Sequence, residues 1–295
     1  MHEIFHDFFH SIGIGHEIGD VLTGIIENLL ITIPILFLAY LLMEYVEHKA
    51  SSKMEDSIAK IGRFGPFLGT GLGLIPQCGF SASCSNLYAT GLLTEGTLLA
   101  VFISTSDEAI PLLLADSRVT ADIWKFILVK VVFGIVIGFS VDFMLKALKI
   151  KKTPVELCKD CGCEEQEGIF KPALHHTIKT GVFILIISII IDIIMVFVGT
   201  ENLKMALGGN SVFQPFLTAL IGLIPNCSVS IALIELYAQG VLSFGATCAG
   251  LCSGSGIGLA VLMKTNKSWK ENLRIIGVLY FASSLIGLFL VLFSA

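Results

Sequence analysis

The sequence predicts an all-α polytopic membrane protein made of two inverted-topology repeats, each holding a re-entrant (or short, kinked) helical hairpin and a broken transmembrane helix. Three observations predict it. The 295 residues are 54% hydrophobic and only 15% charged, with a mean hydropathy of +0.84, whereas a soluble domain carries roughly 25% charged residues. A shift of 149 residues lays the chain over itself without a gap. The duplicated stretches also set Gly, Pro and small polar residues inside apolar segments, where irregular backbone is tolerated only against protein or a cavity.

Residues 1–19 read as an outer amphipathic helix. His2, His6 and His10 stand four apart with Glu3 and Asp7 adjoining, while Phe5, Phe8 and Ile12 take the other face. Such a helix lies flat on the outer membrane surface, and its histidines are either an accessory metal clamp or a solvated face. No basic region or small-residue cleavage site marks a secretory signal. The first membrane repeat covers 20–150, with apolar runs at 21–45 and 124–148. A cytoplasmic Cys-rich linker covers 151–171, and the second membrane repeat covers 172–295, with runs at 177–199 and 272–294. Each run meets the roughly 20 residues a span needs.

The repeat rests on Phe64–Cys78, "FGPFLGTGLGLIPQC", over Phe213–Cys227, "FQPFLTALIGLIPNC", and about 19 of 49 positions are identical. Lys49, Lys53, Lys60 and Arg63, then Lys146, Lys149, Lys151, Lys152 and Lys159, then Lys264, Lys267, Lys270 and Arg274 mark three cytoplasmic segments by the positive-inside rule. The N-terminus is then outside, and the odd number of crossings between the matched units inverts one repeat relative to the other.

The first hairpin is expected over 62–91. Its entering arm of about 14 residues, roughly 21 Å of helix, is too short for a core of about 30 Å, and Pro76 suits the first turn of the returning arm. The twin covers 209–240, and two short, kinked but complete spans are the alternative. After each hairpin a segment breaks halfway: "VFISTSDEAIPLLL" (101–114) and "CAGLCSGSGIGLAVL" (248–262). Ser, Thr and Gly there compete with helix, so the unwound centres are expected to meet the hairpin tips.

The first break carries Asp107 and Glu108, with Glu95 in the same segment, and Glu235 follows the second tip. No Lys or Arg occurs from Phe64 to Ser117 or from Met205 to Met263. Acids in a membrane need a distant partner, a proton or a cation. Gln77, Ser81, Ser104, Thr105, Ser106, Asn226, Ser230, Ser253 and Ser255 would add oxygens. These suit Mg²⁺ or Mn²⁺, and thiolates from Cys78 and Cys227 would move preference towards Mn²⁺, Fe²⁺, Zn²⁺ or softer ions. The other membrane cysteines read as small apolar fillers. In the linker, Cys158, Cys161 and Cys163, with His175 and His176 beyond, are either a soft-metal docking site or unstructured chain.

The stretches "IPQCGFS", "STSDEAIP" and "IPNCSVS", with the Cys-rich acidic linker, resemble a bacterial family of ten-span heavy-metal exporters, labelled arsenic-efflux-like or manganese-transporter-like. The resemblance implies an exporter of a metal or metalloid in the plasma membrane. The leading expectation is a secondary, proton-coupled exporter of a divalent transition metal, Mn²⁺ first. The alternative is an arsenite or organoarsenical permease using the hairpin cysteines. A membrane thiol redox protein or a metal sensor is the remaining reading. An enzyme is not expected, nor a resident cofactor, nor ATP-driven pumping by this chain alone. The expected partners are the lipid bilayer, the metal ion, protons and, as an open alternative, further copies of the chain; nucleic acid is not among them.

Overall fold

The computed structural model describes residues 33–34, 36–38, 40–41, 64–75, 78–105, 119–148, 170–198, 207 and 212–294, with backbone only at 78, 172, 187–188, 191–198 and 294. Every regular element among them is helical. The first half supplies α1 (Gly65–Gly73), α2 (Cys78–Ala89), α3 (Glu95–Ser104) and, after a 3-10 turn at Thr120–Asp122, α4 (Ile123–Ala147). Then come α5 (Phe170–Val198), α6 (Gln214–Gly222), α7 (Cys227–Ala238), α8 (Phe244–Ser253), α9 (Gly258–Thr265) and α10 (Trp269–Ser294).

The outer faces are apolar. On α4, Trp124, Leu128, Val132, Val136, Phe139 and Phe143 form one exposed stripe at helical spacing. Phe170, Leu174, Ile178, Val182, Ile186 and Ile190 do the same on α5. A water-soluble monomer rarely exposes so much contiguous apolar surface, whereas lipid solvates it. Three helical stretches among the described residues are long and apolar enough to cross: Thr120–Ala147, Phe244–Thr265 and Trp269–Phe293. The chain is a polytopic helical membrane protein.

Inside this shell, every residue of α3 is buried, and so is every residue of α8 after Phe244. α1 and α4 pack on α3, as α6 and α10 pack on α8. The bounds of α1, α2 and α3 recur in α6, α7 and α8 at the same 149-residue offset. Local chemistry recurs with them. Thr94 caps α3 by accepting from Thr97 N, and Ser243 caps α8 by accepting from Ala246 N. After α2, Gly91 N–H bonds Tyr88 O and Leu92 N–H bonds Leu87 O, with Gly91 at φ 83°. Gly240 at φ 73° and Val241 close α7 in the same way; a left-handed residue at this point favours Gly.

Close packing also recurs. A methyl on Gly96 would stand 2.1 Å from Gly138 O, and one on Gly245 would stand 2.5 Å from Gly287 O. The inner helix and its long partner therefore approach backbone to backbone in both halves.

Two expectations change. The counterpart of Pro76, Pro225, lies one residue ahead of the cap of α7 rather than in its first turn, because Asn226 supplies that cap; Pro66 and Pro215 are the prolines that open helices. His176 is also no extension of the linker: α5 already begins at Phe170, and His176 is buried with its ring stacked on Tyr40 at 5.5 Å.

Candidate functional site

The C-terminal ends of α3 and α8 are where the two inner helices stop. α3 ends at Thr105, whose φ −53° and ψ 126° leave the helical region, and α8 ends at Gly254 with ψ 94°. Ser and Thr hydroxyls turn back onto the preceding carbonyls at both ends. Ser104 Oγ donates towards Ala100 O at 2.6 Å, Thr105 Oγ1 to Val101 O at 2.7 Å, and Ser253 Oγ to Gly250 O at 3.0 Å. That local bonding competes with continuation of the helix. Gly254 to Ile257 then carry the chain irregularly into α9.

Both hairpins reach this second break. Ser85 of α2 donates to Gly258 O at 2.7 Å, and a methyl on Gly258 would meet Ser81 Cβ at 2.8 Å. From the other side, a methyl on Gly254 would lie 3.5 Å from Ser230 Oγ of α7. Ser255 is 1% exposed, and its hydroxyl finds no partner among the described residues. Cys227 opens α7 half-buried, beside Asn226, whose Oδ1 accepts from Ser228 N at 3.1 Å.

Of the sequence-predicted residues, Ser81, Ser230 and Ser255 thus gather at the second break, with Asn226 and Cys227 at the start of α7. Ser104 and Ser253 also stand at the breaks, but both face the hairpin arms: a methyl on Gly73 would lie 2.1 Å from Ser104 Oγ and one on Gly222 2.2 Å from Ser253 Oγ. Gln77, Ser106, Asp107, Glu108, His2, His6, His10, Cys158, Cys161 and Cys163 lie outside the described residues, as does the side chain of Cys78. Among the described residues no three His, Cys, Asp or Glu side chains cluster as a metal site.

One basic residue at the breaks is absent from the sequence reading. Lys130, 4% exposed on α4, donates to Thr105 O in a very short contact and to Leu251 O at 2.8 Å. Its signal was available: a lone Lys inside an apolar run is a functional candidate by default.

Glu95 is not at the break. It opens α3 at the opposite end and is 5% exposed. It is paired with a base from 179 residues away: Arg274 Nε donates to its Oε1 at 2.9 Å, and Nη2 donates to Oε2. The expectation that these acids lack a basic partner therefore fails for Glu95. Tyr88 OH stands 3.3 Å from both Glu95 Oε2 and Glu271 Oε2, and a cleft of about 220 Å³ opens between Glu95, Asp142, Lys146 and Arg274. Asp142 closes one side, accepting from Gly96 N at 2.9 Å and Thr94 Oγ1 at 2.7 Å.

The second half holds a counterpart 149 residues on. Tyr237 OH donates to Asp122 Oδ2 at 2.6 Å, and Lys125 bonds the same carboxylate at 2.7 Å. Each tyrosine therefore reaches an acid on the other half of the chain. In the second set Phe244 replaces Glu95, and Phe126, Tyr237 and Phe244 pack as an aromatic cluster with centroids 4.7–6.4 Å apart.

Inner helices stopped short inside an apolar shell, hairpins converging on the gap, and a buried ammonium at its edge describe a polar site within the membrane. No curated protein and no solved structure matches the chain. Residues 31–202, more than half of it, match a known family, and the chain belongs to that family, described as "Putative, 10TM heavy-metal exporter".

Proposed function

We propose that the chain is a secondary-active exporter of a divalent transition metal, Mn²⁺ first, coupled to protons and working by alternating access between two inverted repeats. The observation that carries the reading is the second break, which lies against Ser81 and Ser85 of one hairpin and Ser230 of the other. Non-helical backbone at membrane depth lined by hydroxyls is how broken-helix transporters build a central site.

The arms support the re-entrant form. α1 and α6 have 9 residues and α2 and α7 have 12, so each covers about 14–18 Å of a core of about 30 Å. Asp107 and Glu108 would bind the cation and exchange protons, with Gln77, Asn226 and the hairpin cysteines completing the shell. The basic segments set the N-terminus outside the plasma membrane and the Glu95–Arg274 end inside. Carriage of this kind needs no enzymatic step.

Mn²⁺ uptake into everted membrane vesicles tests this, with transport expected for the unaltered chain and loss for Asp107→Asn. Equal uptake by both would remove the carboxylate role. A second reading is favoured by the two thiols that open the returning arms, Cys78 on α2 and Cys227 on α7. A trivalent arsenical held between them would give resistance that survives Asp107→Asn and vanishes with Cys78→Ser.

A further inference from the structure

Lys130 lies about 10 Å along α4 from Ile123, inside an otherwise apolar stretch. Its ammonium bridges Thr105 O and Leu251 O, one at the cap of α3 and one in the last turn of α8. Carbonyls at helix ends have no partner within their own helix and carry the negative end of the helix dipole. Such carbonyls coordinate the cation in transporters with discontinuous helices. The counterpart of Lys130 in the second half is Leu279, fully buried. One ammonium therefore serves both breaks, although the packing around them is duplicated.

We propose that Lys130 is the coupling residue of the export site, a tethered cation that fills the carbonyl pair when the site is empty and yields it, with a proton, to the incoming metal. This rests on the divalent-cation reading above. On loading, one N–H bond of the ammonium breaks, the electron pair stays on Nζ, and the proton passes to water; the metal then takes the two oxygens, and nothing is oxidised or reduced. On release towards the other side, Nζ takes a proton back and returns to the carbonyls.

Few charges face it. Cys248 and Cys252 of α8 are close enough to feel its charge. α1 carries no ionisable residue, and the one on α3, Glu95, is tied to Arg274 at the far end. Asp122, Lys125, Asp142 and Lys146 lie nearer the ends of α4 and the turn before it. Asp107 and Glu108 follow Thr105 by two and three positions in the sequence.

The experiment is Mn²⁺ binding to the purified full-length protein in nanodiscs, by calorimetry over a range of pH, with proton release read by an indicator dye in weak buffer. Metal binding that displaces protons tightens with pH by about tenfold per unit for each proton displaced. The unaltered protein should release protons, and Lys130→Gln should release about one fewer per Mn²⁺ and lose about tenfold per pH unit from that dependence. Lys130→Gln that binds Mn²⁺ with the unaltered proton count overturns the proposal. Lys130→Arg keeps charge and cannot shed it, so it should bind Mn²⁺ at least about tenfold more weakly at every pH, and this variant carries the test if the Gln form does not fold. Arg at this position with ordinary affinity also overturns the proposal. Unaltered protein that binds no Mn²⁺ at all sinks the divalent-cation reading itself, a different result from intact binding without proton loss.

Discussion

At one end of the molecule Tyr88, Glu95, Glu271 and Arg274 join the first half to the second; at the other, Tyr237, Asp122 and Lys125 make the same join with the halves exchanged. The positions correspond, and the chemistry does not. The first set holds a two-point ion pair on a buried carboxylate, and its tyrosine sits at 3.3 Å from either acid. The second has lost that carboxylate to Phe244. It relies on one 2.6 Å hydrogen bond, while its lysine, 68% exposed, reaches only the acid three residues before it. A duplicated scaffold has thus kept its joints and divided their strength unequally, with charge at one end and an aromatic seal at the other. Under alternating access, the charged end is the harder to open.

The largest expected effect separates the two bases. Arg274→Ala strands Glu95 in the interior, and breaking a buried pair from one side costs about 3–5 kcal/mol. Arg274 keeps some water contact, which puts the expected loss near the lower figure, about 3 kcal/mol. Lys125→Ala removes an exposed pair and should cost less than about 1 kcal/mol. Thermal unfolding in a single detergent compares them, and equal shifts would break the contrast.

The glycine contacts come next. Gly96→Ala forces a methyl onto Gly138 O and the Asp142 carboxylate, whereas Gly245→Ala meets Gly287 O and a Val291 side chain that can give way. Overpacking costs about 1–3 kcal/mol, with Gly96→Ala the more damaging in the same unfolding assay. Equal losses would mean that backbone separation, rather than Asp142, governs both sites.

The tyrosines sharpen the comparison most finely. Tyr237→Phe removes the main polar link at its end. At about 1.5 kcal/mol for a bond to a charged group, the closed state there should lose roughly tenfold in population. Labelling of Cys227 by an impermeant thiol reagent added from outside should rise accordingly. Tyr88→Phe should leave labelling from inside little changed, because Arg274 still holds Glu95. The reverse order would overturn the ranking of the two ends.

Much of the scaffold was legible because duplication repeats residues that geometry needs. Gly91 and Gly240, Thr94 and Ser243, and Gly96 and Gly245 hold equivalent posts, and a fixed offset finds them without coordinates. The breaks were legible too, since hydroxyls that bond backward leave a composition trace. Pairings between distant segments were not. Arg274 is invisible in any window around Glu95, and Lys130 sat in a run read for its average hydropathy, which a single charge barely lowers. Ser104 and Ser253 misled for a related reason: a serine at a helix break reads as a ligand, and packing against a glycine of the next helix leaves no local mark.

The pairing of α9 with α2 has a consequence for assembly. The segment after the second break rests on the first hairpin, and Ser85 reaches Gly258 across 173 residues. Neither copy of the duplicated unit is self-contained, because each needs surface supplied by its sibling. A chain severed in the linker would work only if both fragments were inserted together and found one another within the same bilayer.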